Sequence, residues 1–232
     1  MSLHRHLTGQ NIALVAVFAA VIAASTLVPE FTLLGGVPIT LQTFAVVLAG
    51  LVLGPWRALA AVSLYLLMGL MGAPIFANGV AGIVVLSGPT GGYLFGFILA
   101  ATAIGFIARA LARRGLLHRR VWSAAMLAAA GLVSLPLVYA VGVPWLAWRT
   151  GMPVMPVSCT GLTDSDCVSA VTVGVIPFIV PDLIKVAAAG VVAAAVHRTF
   201  PGLLGRARVA TRATRDDARV ALAEESGGTA TA

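Results

Sequence analysis

Residues 175–197 read VIPFIVPDLIKVAAAGVVAAAVH, an apolar run about as long as an α-helix needs to cross a lipid bilayer. Two charged residues interrupt it: Asp182 and, three residues later, Lys185, which is the only lysine of the chain. A charge inside a bilayer costs free energy, so it faces a partner or a polar cavity. A spacing of three residues puts both side chains on one helix face. The run therefore predicts a membrane-spanning helix that carries either a structural ion pair or one wall of a polar ligand site.

Five further apolar runs precede this one. Hydrophobic residues make up 59% of the 232 residues and charged residues 10%, and the mean hydropathy is +1.00. A soluble fold of this length cannot bury so much apolar surface, because compact folds still expose a large area to water. We therefore predict an all-α integral membrane protein with six transmembrane helices, at about residues 10–29, 39–54, 56–72, 92–111, 121–143 and 175–197. The second run is short, which predicts a helix that tilts into the protein or crosses only part of the bilayer.

The arginines predict how these helices are oriented. They precede the first run, join the second run to the third and the fourth run to the fifth, and follow the sixth, as Arg5, Arg57, Arg109, Arg113, Arg114, Arg119, Arg120, Arg198, Arg206, Arg208, Arg212, Arg215 and Arg219. Cytoplasmic connections are enriched in arginine, so we expect a multi-pass protein of the cell membrane with both termini in the cytoplasm. Only Arg149 falls on the other side. The arginines that set the orientation thus account for the net charge of +7. Nucleic-acid binding is not predicted, because the sequence indicates no soluble basic module.

Residues 1–200 are predicted to form one membrane domain, and residues 201–232 a cytoplasmic tail. The tail is rich in Arg, Ala, Asp and Glu, which leaves a brief helix or disorder as alternatives. Residues 12–27 also resemble the core of a signal peptide, but the apolar runs that follow favour a first membrane helix. In that helix, Ala16 and Ala20 have a spacing that lets two helices approach closely, with ordinary alanine richness as the alternative.

Polar residues in apolar surroundings are further candidates for a ligand site. They are Thr40, Gln42, Thr43, Ser63, Tyr65, Asn78, Ser87, Thr90 and Tyr93. Asn78 precedes Gly79 in a Gly- and Pro-rich connection, which is typical of a turn or of a polar lid. Pro181, directly before Asp182, predicts a helix start or a kink. If the helix enters from the exterior near residue 175, Asp182 lies only about 10 Å along it, which predicts a pocket near the exterior face.

Cys159 and Cys167 lie in the last exterior connection, where a disulfide and two free thiols are both alternatives. Their spacing, with no His nearby, does not predict a metal site. The sequence GPTGGY at 88–93 lacks the Lys of a phosphate-binding loop, so no nucleotide cofactor is predicted. An enzyme would need a nucleophile with a base, or a metal cluster. The sequence predicts no enzyme, because its histidines fall in tails or at predicted interfaces, as His4, His6, His118 and His197.

Several longer motifs resemble those of the BioY family. They are VPITLQT at 37–43, LAG at 48–50, LGP at 53–55, LMG at 67–69, GAPIF at 72–76, GPTGGYLFGF at 88–97 and DLIK at 182–185. The resemblance covers about residues 10–198, and the order of the motifs makes it specific. The chain departs from the family at Pro181, where members commonly have Gly.

BioY proteins are the biotin-specific substrate-binding components of energy-coupling-factor (ECF) transporters. The resemblance implies a six-helix fold with the vitamin bound under the exterior connections. The binding residues that it implies are Asp182, Lys185, Asn78 and Tyr93, followed by Gln42 and Thr43. Asp182 and Lys185 would hold the ureido ring of biotin, whose N–H groups suit a carboxylate and whose carbonyl suits an ammonium group. No residue is assigned to the carboxylate of biotin, although Arg149 is a cation on the predicted exterior.

The resemblance also implies partners besides biotin and membrane lipid, namely a transmembrane coupling subunit and two cytoplasmic ATPases. The face of the first helix with Ala16 and Ala20 would dock the coupling subunit. The chain carries no Walker-type motif, so the ATPases would supply the energy. A self-sufficient transporter, facilitative or driven by protons with Asp182 as the carrier, is the alternative. Self-association into a homo-oligomer is also left open.

Overall fold

The computed structural model describes residues 9–27, 31–32, 37–118, 122–156 and 168–204, and these are mostly helical. Two short strands, β1 (Phe31–Thr32) and β2 (Pro38–Ile39), pair antiparallel. The α-helices are α1 (Gly9–Ala24), α2 (Gln42–Leu53), α3 (Pro55–Leu70), α4 (Gly91–Arg113), α5 (Trp122–Gly131), α6 (Ser134–Thr150), α7 (Ala170–Gly174) and α8 (Ile176–Thr199). Single turns of 3-10 helix lie at Ala77–Gly79, Ile83–Ser87 and Leu116–His118.

These helices form six apolar units, as the sequence predicts. Helices α5 and α6 join across residues 132–133 into one unit, Trp122–Thr150, and α7 and α8 join at Val175 into another, Ala170–Thr199. These two units and α4 are long and apolar enough to cross a membrane, whereas α1, α2 and α3 are shorter apolar helices. The prediction of a helical membrane protein is thus confirmed.

The helix boundaries differ from the predicted ones at particular residues. Helix α1 ends at Ala24 rather than near residue 29, because the Ser25 and Thr26 hydroxyls bond the carbonyls of Ile22 and Ala23. The fifth unit was expected to end at residue 143, and this is wrong. Helix α6 runs through Pro144 to Thr150, and Trp145 packs tightly against Gly92 of α4.

Helix α2 is the centre of the bundle. It packs against α1, α3, α4, α5 and α8, and nearly all of its side chains are buried. Its 12 residues span only about 18 Å. Because other helices surround it, a short helix is sufficient here. Gly50 brings it against α4, where an added Cβ would lie 2.8 Å from the carbonyl oxygen of Ala101.

The outer faces of the bundle are apolar. Large hydrophobic side chains are exposed along the outside of α4 and α8, among them Phe95, Leu99, Phe106, Val180, Ile184 and Val191. A soluble monomer rarely exposes so large a continuous apolar surface. Lipid contact explains it, and the chain is a multi-pass membrane protein.

Several predictions concern residues that lie outside the described ranges. They include Cys159 and Cys167, the arginines of the first eight residues and of the connection 119–121, and the tail after residue 204. The disulfide, the tail and the orientation of the termini stay predictions.

Candidate functional site

A cavity of about 370 Å³ opens at the end of the bundle where α2, α4 and α8 begin. The connection between α3 and α4 covers it, and the first half of α6 forms one wall. Its polar lining residues include all six predicted substrate-binding residues, namely Gln42, Thr43, Asn78, Tyr93, Asp182 and Lys185. The structure therefore brings together residues that are up to 143 positions apart, from Gln42 to Lys185.

Asp182 and Lys185 form a buried ion pair on the wall that α8 provides. Lys185 Nζ donates to Asp182 Oδ1 at 2.9 Å, and the two residues are 9% and 4% exposed, respectively. Within the described ranges, Asp182 is the sole acidic residue. The pair is adjacent to the cavity, so a ligand could bind both a carboxylate and an ammonium group at one point.

Tyr139 is a third member of this cluster. Its hydroxyl donates to Asp182 Oδ2 at 2.8 Å, and it also lines the cavity. Tyr139 was not among the predicted site residues, and it lies in the apolar run LPLVYAV at 135–141. A phenol in the middle of a membrane helix is a usable signal, because its hydroxyl needs a partner when it is buried.

The helix that carries Asp182 does not start at Pro181, which was one of the two predicted roles of this proline. Helix α8 begins at Ile176 after a break at Val175, with Pro177 in its first turn, and it continues through Pro181. The helix therefore starts after the break at Val175, six residues before Pro181. Asp182 lies about two turns into the helix, as its distance from residue 175 predicts.

Gln42 belongs to a polar chain that ties the cavity wall together. Its side-chain amide donates to the Tyr65 hydroxyl, which in turn donates to the carbonyl oxygen of Ile75 at 3.1 Å. Thr40 Oγ1 donates to Gln42 Oε1 at 3.2 Å. These bonds connect α2 and α3 to the connection over the cavity.

Tyr93 is a packed wall of the cavity. Its hydroxyl donates to the carbonyl oxygen of Gly174 at 3.0 Å, and Gly142 and Gly174 leave the room for it. An added Cβ would lie 2.5 Å from the Tyr93 ring at Gly142 and 2.3 Å from its hydroxyl at Gly174. The ring can contact a ligand, while its hydroxyl is engaged by the protein.

Asn78 lies in the connection that covers the cavity. It adopts a left-handed backbone with φ 57° and ψ 23°, the conformation that Asn tolerates better than most residues. Asn78 was predicted to form either a turn or part of a polar lid. It does both, because it lines the cavity from a turn in the covering connection. The neighbouring Phe76 is almost fully buried against Gly69, which anchors the connection to α3.

The rest of the cavity is apolar and aromatic. Phe76, Phe97 and Phe178 lie around it, together with Leu94 and Val138. Ligand sites commonly combine such apolar walls with a few polar groups at defined points. The arrangement suits a compact, largely apolar ligand with one strongly hydrogen-bonding end.

Arg149 fastens the covering connection. Its Nε and Nη2 both donate to the carbonyl oxygen of Ser87, at 2.9 and 2.6 Å, and its guanidinium stacks on Trp148. Trp145 Nε1 donates to the carbonyl oxygen of Gly88 at 3.2 Å. Arg149 does not line the cavity, so a role toward a ligand carboxylate has no geometric support.

Ala16 and Ala20 lie on the exposed side of α1, whereas Ala19 is buried against the bundle. The predicted docking face is therefore accessible. No group of His, Cys, Asp or Glu that could hold a metal ion occurs in the part of the chain that the structure describes.

The chain is similar to a group of known proteins over most of its length. The model of the BioY family matches residues 2–202. The "Biotin transporter BioY" of Thermotoga maritima is 41% identical over 160 residues, which are 69% of this chain and 80% of that protein. The protein of the same name from Rhodobacter capsulatus is 37% identical over 84% of this chain and 97% of that protein.

One solved structure has the same fold. It is described as the S-component for biotin from an ECF-type ABC transporter, and it matches with a TM-score of 0.65. The match covers 85% of this chain and 95% of that one, at 23% identity.

Proposed function

The chain belongs to the BioY family, and on this premise we propose that it is the biotin-binding membrane component of a vitamin uptake transporter. The observation that carries the proposal is the Asp182–Lys185 pair at one end of an otherwise apolar cavity. The family consists of transporters rather than enzymes, so binding and release are the activity to be explained.

The polar cluster matches the ureido ring of biotin. Asp182 would accept the N–H groups of the ring, and Lys185 would donate to its carbonyl oxygen. Both groups are already held by the protein through the bonds from Lys185 and Tyr139 to the carboxylate. Such preorganisation lowers the conformational cost of binding.

The apolar part of the cavity would take the rest of the vitamin. Its volume of about 370 Å³ lies within the usual range for small-molecule pockets. Phe97 and Phe178 provide ring contacts for the thiophane and the valeryl chain. Asn78, on the covering connection, would close over the bound molecule, and Gln42, Thr43 and Tyr93 would complete the wall.

The proposed mode of transport also involves partners and a defined orientation. We infer that the cavity faces the exterior, that both termini are cytoplasmic, and that a transmembrane coupling subunit with two ATPases drives release. The exposed face of α1 with Ala16 and Ala20 is the proposed docking surface, because small side chains let a partner helix approach closely.

Equilibrium binding of labelled biotin to the purified protein in detergent tests the proposal. We expect saturable binding that unlabelled biotin displaces and that unrelated vitamins do not. Asp182→Ala and Lys185→Ala should each weaken binding by roughly ten- to a hundredfold or more, because a hydrogen bond to a charged group contributes about 1.5–3 kcal/mol.

The matched control is Leu183→Ala, on the same helix but exposed on its outer side, which should bind like the wild type. Thermal unfolding of each variant separates lost binding from lost folding. Normal biotin binding by well-folded Asp182 and Lys185 variants would refute the site assignment. Uptake that ends when the proton gradient is collapsed, while ATP remains, would instead favour the self-sufficient, proton-driven transporter.

A further inference from the structure

A second cavity lies at the opposite end of the bundle from the candidate biotin site. It measures about 600 Å³ and is formed where α1 and α3 begin and where α4 and α8 end. Its lining includes Arg57, Arg109, Trp56 and Gln10, and the turn that follows α8 closes one side. Nothing in the proposed biotin chemistry uses these residues.

Two arginines from different helices share this cavity. Arg57 lies in the first turn of α3, and Arg109 lies just over one turn before the end of α4. Both residues line the same cavity, so two positive charges share it. Arg57 is also held in place, because it donates to the carbonyl oxygens of Leu53 and Leu203.

No carboxylate among the described residues offsets these two charges. Among the described residues, the ion pair between Lys185 and Asp182 lies at the other end of the molecule. Two like charges held together in a partly buried pocket destabilise it unless an anion binds between them. A negatively charged ligand in the pocket would offset both charges.

The neighbouring aromatic residues indicate where this anion comes from. Trp56 and Phe106 pack edge to face with ring centroids 5.6 Å apart, and each is about half exposed on the outside of the bundle. Exposed aromatic rings, and Trp above all, mark the level of lipid headgroups in membrane proteins. These exposed rings, one of them next to Arg57 in the chain, thus favour a position of the pocket at the level of the lipid headgroups.

We propose that this pocket binds the phosphate of an anionic phospholipid, with Arg57 and Arg109 as the phosphate ligands. Arginine guanidinium groups suit phosphate because they offer several donors in a planar fork. Basic pockets between membrane helices on the cytoplasmic side are typical sites for anionic headgroups. A lipid bound there joins α3, α4 and the end of α8. Its phosphate attracts the guanidinium groups of both arginines.

Lipid retention tests the proposal. The protein is reconstituted in vesicles with equal amounts of phosphatidylglycerol and phosphatidylcholine and extracted with mild detergent, and the retained lipids are measured by native mass spectrometry. We expect phosphatidylglycerol to be retained in preference to phosphatidylcholine. Arg57→Gln combined with Arg109→Gln should reduce that preference by roughly tenfold or more, because both guanidinium groups that bind the phosphate in the pocket are lost, and each strengthens binding several-fold.

Arg113→Gln is the matched control. It removes the same charge from the same helix, one turn beyond Arg109 and outside the pocket, and it should leave the preference unchanged. If the double variant does not fold, Arg109→Gln alone replaces it, because this variant keeps the hydrogen bonds of Arg57. We expect Arg109→Gln to reduce the preference several-fold. An equal preference in the wild type and in the Arg109 variant would overturn the proposal.

Inorganic phosphate distinguishes a lipid from a free anion. We expect phosphatidylglycerol to raise the thermal unfolding temperature of the detergent-purified protein, and inorganic phosphate at the same concentration to leave it unchanged. Equal stabilisation by both would overturn the assignment to lipid. Because neither readout involves biotin, failure here is distinguishable from failure of the proposed transport function.

Discussion

Asp182 accepts hydrogen bonds through both of its carboxylate oxygens, from Lys185 at 2.9 Å and from Tyr139 at 2.8 Å. A buried carboxylate is costly unless such partners offset its lost hydration. The two bonds also fix the orientation of the carboxylate toward the cavity. A carboxylate oxygen accepts more than one hydrogen bond, so a ligand N–H can join these donors without removing them.

Replacing Tyr139 with Phe tests this positioning. The substitution removes one donor and keeps the ring, so the Asp182 carboxylate gains rotational freedom. We expect biotin binding to weaken by up to about tenfold, since one hydrogen bond to a charged group is lost. Calorimetry on the purified variant measures the change.

Tyr93→Phe is the chemical match for that variant. It also removes one phenolic hydroxyl from the cavity, but this hydroxyl bonds the carbonyl oxygen of Gly174 rather than Asp182. We expect Tyr93→Phe to affect biotin binding less than Tyr139→Phe does. Equal losses in the two variants would mean that the hydroxyl of Tyr139 has no specific role toward Asp182.

Helix α8 shows how the elements are held in place. It carries the charged pair near its start and packs against α5 and α2 further along. Its Gly190 lies directly on the backbone of α5, where an added Cβ would be 2.6 Å from the nitrogen of Ala128. The position of Asp182 therefore depends on a contact about two turns away along the same helix.

Gly190→Ala should lower the thermal unfolding temperature by roughly 5 °C. Alanine favours a helix more than glycine by about 1 kcal/mol, but overpacking against a backbone costs about 1–3 kcal/mol and outweighs that gain. Gly202→Ala is the control, because an added Cβ there meets no atom within 4 Å. If both variants unfold at the wild-type temperature, α8 is not held by this close approach.

The elements also show which predictions from local sequence were sufficient. The six apolar runs were located correctly because transmembrane length and apolar composition are properties of each segment alone. Their ends were less well predicted. The fifth helix was predicted to end at residue 143, whereas α6 continues for about two further turns to Thr150, with Trp145 packed on Gly92.

The whole molecule is polarised along the bundle. The candidate biotin cavity and Arg149 lie at one end, and the other described arginines lie at the opposite end, namely Arg57, Arg109, Arg113, Arg114 and Arg198. Arginine enrichment on one side favours the predicted orientation, with the cavity outside the cell.

Thiol labelling measures that orientation. In intact cells, a membrane-impermeant maleimide should label Cys159 and Cys167, directly if they are free thiols and only after reduction if they are bridged. Arg113→Cys in a background without these two cysteines should be labelled only after permeabilisation. The reverse pattern would place the cavity toward the cytoplasm.

The sequence by itself determined the membrane class, the six apolar units and the family, because apolar length, composition and ordered motifs are local properties. It also determined that Asp182 and Lys185 share one helix face, since helix geometry alone brings residues three apart onto one face. Only the tertiary structure decided that Tyr139 donates to Asp182 and that Arg57 and Arg109 line one cavity. These contacts join different helices, so they depend on how the helices pack against each other, which no local spacing specifies.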